Sequence, residues 1–329
     1  MNGAPSQKAV EKKPVVSWQL PMQRVLWALA PAAMLGVYFF GLRVLILYAV
    51  VNLAGFAAEY AFARQYNQQV SSSVFVTNML FAMIIPPTLP FWMAAVGIIF
   101  AVVFGKMVFG GFGKNIFNPA LVGRAFIYVT FAVHMTGVWS EPVGGLFGGF
   151  AAYSADAVTS ATILTNGAGT MSDVWLKAFI GNIAGSAGET SAVAILLGGL
   201  YLMWKKVANA KIIVWTLIGM VVPQTILWYF GIHSAIDPLT AILAGGFMLG
   251  LFFMTTDPVS APKTEQGKLM YGLFIGVMTC LIRTFSVWPE GMMFAILLGN
   301  MFAPITDYAV NEYQKKKKEQ SAPAPAGGR

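Results

Sequence analysis

The chain has 329 residues, of which 57% are hydrophobic and 10% charged, with a mean hydropathy of +0.68 and a formal charge of +8. A soluble domain carries about 25% charged residues, so a soluble globule is excluded and a polytopic membrane protein is implied. The positive charge does not read as a nucleic-acid footprint, because the lysines and arginines sit mainly at the termini and in short connections between apolar runs.

The first 24 residues are polar, with Lys8, Lys12 and Lys13 beside Glu11. They lack the apolar core and small-residue cleavage site of a removable signal peptide. Apolar runs of roughly 17–25 residues mark membrane spans. Ten are read, near 25–41, 44–63, 73–86, 91–109, 116–135, 186–204, 211–230, 236–254, 269–286 and 290–308. The expected fold class is an all-α polytopic membrane protein. Its parts are a cytoplasmic segment 1–24, a five-span unit 25–135, a connection 136–185, a second five-span unit 186–308, and a basic, disordered cytoplasmic tail 309–329.

Lys and Arg collect on the cytoplasmic side of membrane proteins. Both ends of the chain are basic, and Arg64, Lys106, Lys114, Lys205, Lys206, Lys211, Lys263 and Lys268 fall in alternate connections. An even number of spans with both termini inside agrees with this pattern. Arg43 and Arg283 are exceptions, near the outer side. The connection from Thr136 to Asp173 is then outside, and no Lys or Arg occurs from Ala125 to Leu176.

Two short echoes suggest a duplication. "LFAMIIPP" (Leu80 to Pro87) matches "LFFMTTDP" (Leu251 to Pro258), and "NIFNPA" (Asn115 to Ala120) matches "NMFAPI" (Asn300 to Ile305). They pair spans 3 with 8 and 5 with 10, the register of a five-span unit repeated twice. An odd number of spans makes the second copy inverted. Proline frees backbone groups that lipid cannot satisfy, so "IIPP", "FNP" and "TTDP" are expected to break helices inside the bundle, or else to end them near the headgroups.

Chemistry-bearing residues are few. The single Cys280 lies in an apolar run, which excludes a disulfide within the chain and a four-thiolate iron–sulfur cluster held by this chain alone. Packing is the default role for Cys280, and His134 and His233 fall near span ends rather than mid-membrane, where a haem held between the two is the minor alternative. "DAVTSATIL" (Asp156 to Leu164) is a hydroxyl-rich stretch in the outer connection. No base or metal-ligand cluster surrounds Thr162, so a threonine nucleophile acting alone is poor chemistry. A hydroxyl among small side chains suits modification by another enzyme, or is simply part of a polar loop. "GNIAGSAGETS" leads into the sixth span, and Gly181, Gly185 and Gly188 permit close backbone approach. A helix amino terminus there could receive a phosphate. Alternatively, Ser186 and Glu189 have the spacing of a capping box.

Asp156, Thr159, Ser160, Ala161 and Thr162 fit the pattern D-x-x-[ST]-[SG]-A-T, which resembles the signature at which threonine is joined to the phosphate of FMN. The same chain carries, in order, "GKNIFNPALVGRAF", "GNIAGSAGETS" and "TTDPVSAP". Together these resemble, over most of the chain, the RnfD/NqrB family. Its members are membrane subunits of the Rnf ion-translocating oxidoreductase complex and of the sodium-pumping NADH:quinone reductase. The short amino-terminal region is closer to the Rnf member, with the quinone-reductase member as the alternative. Ile163 stands where many relatives have proline and leaves the acceptor threonine intact.

The resemblance implies a flavoprotein subunit of a bacterial or archaeal cell (inner) membrane complex, not catalytic alone. Electrons would pass through covalent FMN on Thr162 between ferredoxin and NAD while Na⁺ or H⁺ is pumped. Partners would include iron–sulfur and NAD-binding subunits, membrane lipid, and a flavin transferase during maturation. Riboflavin is implied as a second, non-covalent flavin. Gly188, Glu189, Asn118 and Arg124 are flavin-contact candidates. Ionisable groups within a membrane tend to be functional, which makes Asp257 and Glu59 candidates for an ion path. Arg124 either holds a flavin or pairs with Asp257, and either residue could instead snorkel to the headgroups. No metal site is expected. In a different class, a urea-type solute channel also fits inverted five-span repeats, but a channel has no use for an attachment motif.

Overall fold

The computed structural model describes residues 14–137, 139–144, 147–154, 157–158, 171–232, 235–286 and 290–321. Among them helices dominate, and sheet is confined to two pairs of two-residue strands. β1 (Val16–Ser17) pairs in parallel with β2 (Val70–Ser71). This pins the entry to α1 (Leu20–Phe40) against the start of α3 (Ser73–Met83), and the Ser72 hydroxyl donates to Gln19 Oε1 at 2.6 Å. α1 begins ahead of the predicted span because Pro21, preset for the first helical turn, starts it there.

The first unit continues with α2 (Leu42–Gln65), α4 (Phe91–Val102, prolonged by the π-turn Val103–Met107), α5 (Pro119–Thr130) and the short α6 (Ala132–Thr136). The connection holds β3 (Trp139–Ser140), β4 (Ala157–Val158) and α7 (Met171–Ile180). α8 (Ala192–Trp204) and α9 (Ala210–Tyr229) follow, then α10 (Pro238–Leu243) and α11 (Phe247–Leu249, prolonged by the π-turn Gly250–Met254). α12 (Glu265–Phe285) and α13 (Gly291–Ser321) complete the chain. α1, α2, α9, α12 and α13 are long and apolar enough to cross a membrane. α3, with 11 residues, rises only ~16 Å, about half of a ~30 Å hydrocarbon core.

Corresponding helices of the two units run antiparallel, as inversion requires. Along α1 and α8, Arg24 reaches the Lys205 carbonyl at 3.4 Å, Gly198 abuts the Ala28 carbonyl, and Gly36 abuts that of Ala187. A side chain at Gly198 or Gly36 would force these backbones apart. Along α5 and α13, the Asn118 amide donates to Asn300 Oδ1 at 3.1 Å, Tyr128 meets Phe294 edge-on at 6.0 Å, and Arg124 pairs with Glu290. The two "N…P" echoes thus meet face to face. Asn300 also donates to Tyr271 Oη at 2.8 Å.

Two helices are broken inside the protein. α3 ends at Met83, and Ile84 and Ile85 are fully buried. The freed carbonyls find partners in the strip before α8. Gly188 N–H donates to Met83 at 2.8 Å, Ala187 N–H to Ile85 at 3.2 Å, and the Ser186 hydroxyl to Ile84 at 3.3 Å. Beyond Pro86, whose carbonyl accepts from Leu89 N–H at 3.1 Å, Arg43 covers the carbonyls of Pro87, Thr88 and Leu89. The second break separates α10 from α11, where Gly245 and Gly246 take φ of +64° and +67°, a region that favours glycine. There Arg283 donates to the carbonyls of Ala241 at 2.6 Å, Ala244 at 3.2 Å and Gly245 at 2.6 Å. The two basic exceptions to the charge pattern are therefore half-buried caps on broken helices.

Four expectations need correction. The eighth span is interrupted at Ala244–Gly246 as well as ending at Met254 ahead of "TTDP", because a glycine pair at positive φ ends α10 where periodicity gave no sign. The stretch read as a disordered tail continues α13 to Ser321, since Glu, Gln and Lys sustain a helix without any Gly or Pro. The connection 136–185 contains a helix, α7, whose Trp175 indole donates to Asp237 Oδ2 at 3.0 Å and Thr240 Oγ1 at 3.1 Å. Lys106, counted as a charge in a cytoplasmic connection, is 2% exposed.

Candidate functional site

Buried charge gathers at two places, toward opposite ends of α3. At the end where α3 breaks, Arg124 of α5 pairs with Glu189 at 3.2 Å and with Glu290, all under a tenth exposed. Glu189 directly follows the strip that stitches the α3 break. Its carboxylate also lies on the α10–α11 break, where a Cβ at Gly246 would sit 2.6 Å from Glu189 Cδ. Arg283, capping that same break, feels both Glu189 and Glu290 electrostatically. Two arginines and two glutamates so form one neutral set between the broken helices. Each charge is tolerable there only because the others are present.

Three readings from the sequence change. Arg124 does not meet Asp257; its partners are carboxylates that the span count put at the ends of spans 6 and 10. Ser186 and Glu189 do not cap α8. That role belongs to Ser191, whose hydroxyl accepts from Ala194 N–H at 3.4 Å, while Glu189 serves the arginine. Gly188 does need its small size, but against the Met83 side chain, 2.6 Å from a built Cβ.

At the other end of α3, Lys106 donates to Glu59 Oε2 at 2.6 Å and to the Ser73 hydroxyl at 2.8 Å, and Ser71 N–H donates to Glu59 Oε1 at 3.1 Å. Lys106 lines a cavity of about 60 Å³ together with Ser73, Thr77, Asn115, Asn118 and Asp257. A water needs about 10–15 Å³ of such volume, so in this conformation the cavity takes a few waters rather than a ring system. Asp257 has its oxygens on Val259 N–H and the Ser260 hydroxyl, each at 3.0 Å, and caps the turn after the π-segment. Asn118 caps α5 through Ala120 N–H at 3.1 Å. Glu59 and Asp257, both ion-path candidates, thus flank Lys106, while Glu189 and Arg124 belong to the other centre. Among the described residues no group of three or more His, Cys, Asp or Glu could hold a metal.

Asp156, Thr159, Ser160, Ala161 and Thr162 lie outside the described residues. What leads into them is anchored. Gly41 turns α1 into α2 at φ +94°, and against it Leu42 and Arg43 N–H donate to the carbonyls of Ala152 at 3.0 Å and Tyr153 at 2.7 Å. β4, inside the motif, pairs antiparallel with β3, Val158 opposite Trp139. The connection before the motif is therefore fastened at the end of the bundle that holds Arg43 and the α3 break.

Buried Glu290 and Lys106, and half-buried Arg283, are the charges that sequence reasoning missed as site residues. For Arg283 a signal existed, since it stood on the wrong side of the charge pattern. Lys106 and Glu290 looked like ordinary span-end charges.

The sequence profile of the NQR2, RnfD, RnfE family matches residues 11–316. The chain is 41% identical over 296 residues to the B-subunit of the Na⁺-translocating NADH-quinone reductase of Neisseria meningitidis serogroup A, covering 88% of this chain and 72% of the relative. It is 42% identical over 282 residues to the same-named protein of Yersinia pestis, covering 83% and 67%. The Ectopseudomonas mendocina counterpart is 42% identical over 280 residues, covering 82% and 68%. These relatives favour the quinone-reductase alternative over the Rnf reading.

Proposed function

Because this chain belongs to the NQR2, RnfD, RnfE family, whose relatives above are subunits of a redox-driven ion-translocating complex, we propose that it is the flavin-carrying membrane subunit of such a complex. The relatives' names favour electron flow from NADH to quinone with Na⁺ as the coupling ion. The observation that carries the flavin is the motif Asp156, Thr159, Ser160, Ala161, Thr162, with FMN joined through its phosphate to Thr162 by a flavin transferase. The flavin, when bound, supplies one- or two-electron transfer. The chain supplies a short tether, which keeps the cofactor at a local concentration on the order of mM.

Both termini are cytoplasmic in this reading and the 136–173 connection faces outward, following the Lys and Arg pattern. Supporting this reading, Ala152 and Tyr153 are held against the Gly41 turn and β4 pairs with β3 just before the attachment threonine. Asp257 and Glu59, beside the Lys106 cavity at the other end of α3, are the ion-path groups. A second, non-covalent flavin and NAD-binding and iron–sulfur partners belong to the same proposal.

The test is ultraviolet fluorescence of the denatured polypeptide from cells that have the transferase. Wild-type chain should fluoresce in the gel and Thr162→Ala should not, with equal amounts of protein in the membrane. A dark wild-type band from an active complex would refute the reading. A cysteine at Ser154, with Cys280 replaced, should react with an impermeant thiol reagent on whole cells or spheroplasts. Reaction only after lysis would reverse the topology.

A further inference from the structure

The geometry points to the carbonyls of Ala241, Ala244 and Gly245 as a monovalent-cation position, occupied in this state by the tethered guanidinium of Arg283. The inference goes beyond the flavin reading and does not depend on it. Three backbone oxygens converge on Arg283 within 2.6–3.2 Å, at the carboxyl end of a helix that stops inside the protein. Carbonyls of interrupted helices are the hard oxygen ligands that bind Na⁺ in membrane proteins, and a helix carboxyl terminus adds about half a negative charge. A carboxylate stands ready on the same spot, since Glu189 packs against Gly246.

Glu189 and Glu290 act on Arg283 as well as on Arg124. In the state described the four charges balance, so an added cation has little to gain until the plug moves. Removal of the plug's charge reverses that: the set becomes net negative, and a cation on the three carbonyls restores neutrality.

Arg43 supplies the control. It caps three carbonyls at the α3 break in the same manner, but the ionisable group acting on it is Tyr153, not a carboxylate. Among the described residues, no carboxylate acts on the group whose loss would bare these carbonyls.

The experiment measures the thermal midpoint of the detergent-solubilised complex in NaCl, KCl and choline chloride at equal ionic strength. Arg283→Gln should gain a Na⁺-dependent rise in midpoint beyond that of wild type, growing with each tenfold increase in Na⁺ as mass action requires. Arg283→Lys, which keeps a cation in place, should behave as wild type does. Arg43→Gln should gain nothing from Na⁺. The double variant Arg283→Gln with Glu189→Gln, neutral again, should lose the added dependence. Equal salt responses in Arg283→Gln and wild type would overturn the assignment. So would failure of Arg283→Gln to assemble at every Na⁺ concentration, since Na⁺ is expected to rescue it.

Discussion

The two buried charge centres use opposite solutions to the same cost. Around Arg124 the charges are packed against two helix breaks, and four side chains balance one another. Around Lys106 a single pair with Glu59 sits beside a cavity with room for water, and Asp257 is nearby. The first centre ties backbone from both units together, so its charges act as structure. The second leaves a small space between the units, lined mostly by apolar side chains, into which Lys106 and Asp257 bring the charge. The contrast assigns rigidity to one end of α3 and adaptability to the other.

Breaking the Arg124 centre should have the largest effect. Arg124→Met strands two carboxylates, and loss of one partner from a buried ion pair costs about 3–5 kcal/mol. Little folded protein should accumulate, as read by size-exclusion chromatography of a fluorescent fusion. Adding Glu189→Gln should recover part of the loss, because Glu290 and Arg283 still balance. A fully stable Arg124→Met would make this centre ornamental.

Lys106→Met strands Glu59 and removes the cation acting on Asp257, next to a cavity with room for water. Its cost should be smaller, on the order of 2 kcal/mol, and Lys106→Met with Glu59→Gln should be nearly as stable as wild type. A Lys106 variant as damaged as Arg124→Met would erase the distinction between the two ends. Gly198→Ala probes the contact between the units, because its side chain would meet the Ala28 carbonyl where α1 crosses α8. Overpacking of this kind costs about 1–3 kcal/mol and should lower the thermal midpoint without changing either centre's response to salt. The smallest effect separates two serines. Ser191→Ala removes the cap of α8 and should cost ~1 kcal/mol, whereas Ser186→Ala gives up one 3.3 Å bond to a break carbonyl and should cost less.

Much of this arrangement was legible in the sequence. Hydropathy located the helical regions of both five-span units, and the echoes around Asn118 and Asn300 identified segments that meet in space. "IIPP" marked a true break because proline removes donors whatever the context. The break at Gly245 was illegible, since glycines are common in apolar spans and only the backbone conformation distinguishes this pair. Partnerships were the other gap. Arg124 offered Asp257 and an unseen flavin as partners, and the structure gave it Glu189 and Glu290, which lie 65 and 166 residues away. Charge counting could flag Arg283 as misplaced, but the three carbonyls that explain it exist only in three dimensions.

The central claim is that this chain carries its flavin on Thr162. Peptide mass spectrometry of the complex, purified from cells that have the flavin transferase, tests it most directly. The peptide spanning Asp156 to Leu164 should carry one FMN, fragmentation should assign it to Thr162 rather than Thr159 or Ser160, and Arg124→Lys chain that still folds should carry it equally. An unmodified peptide in a complex that transfers electrons at its normal rate would contradict the account.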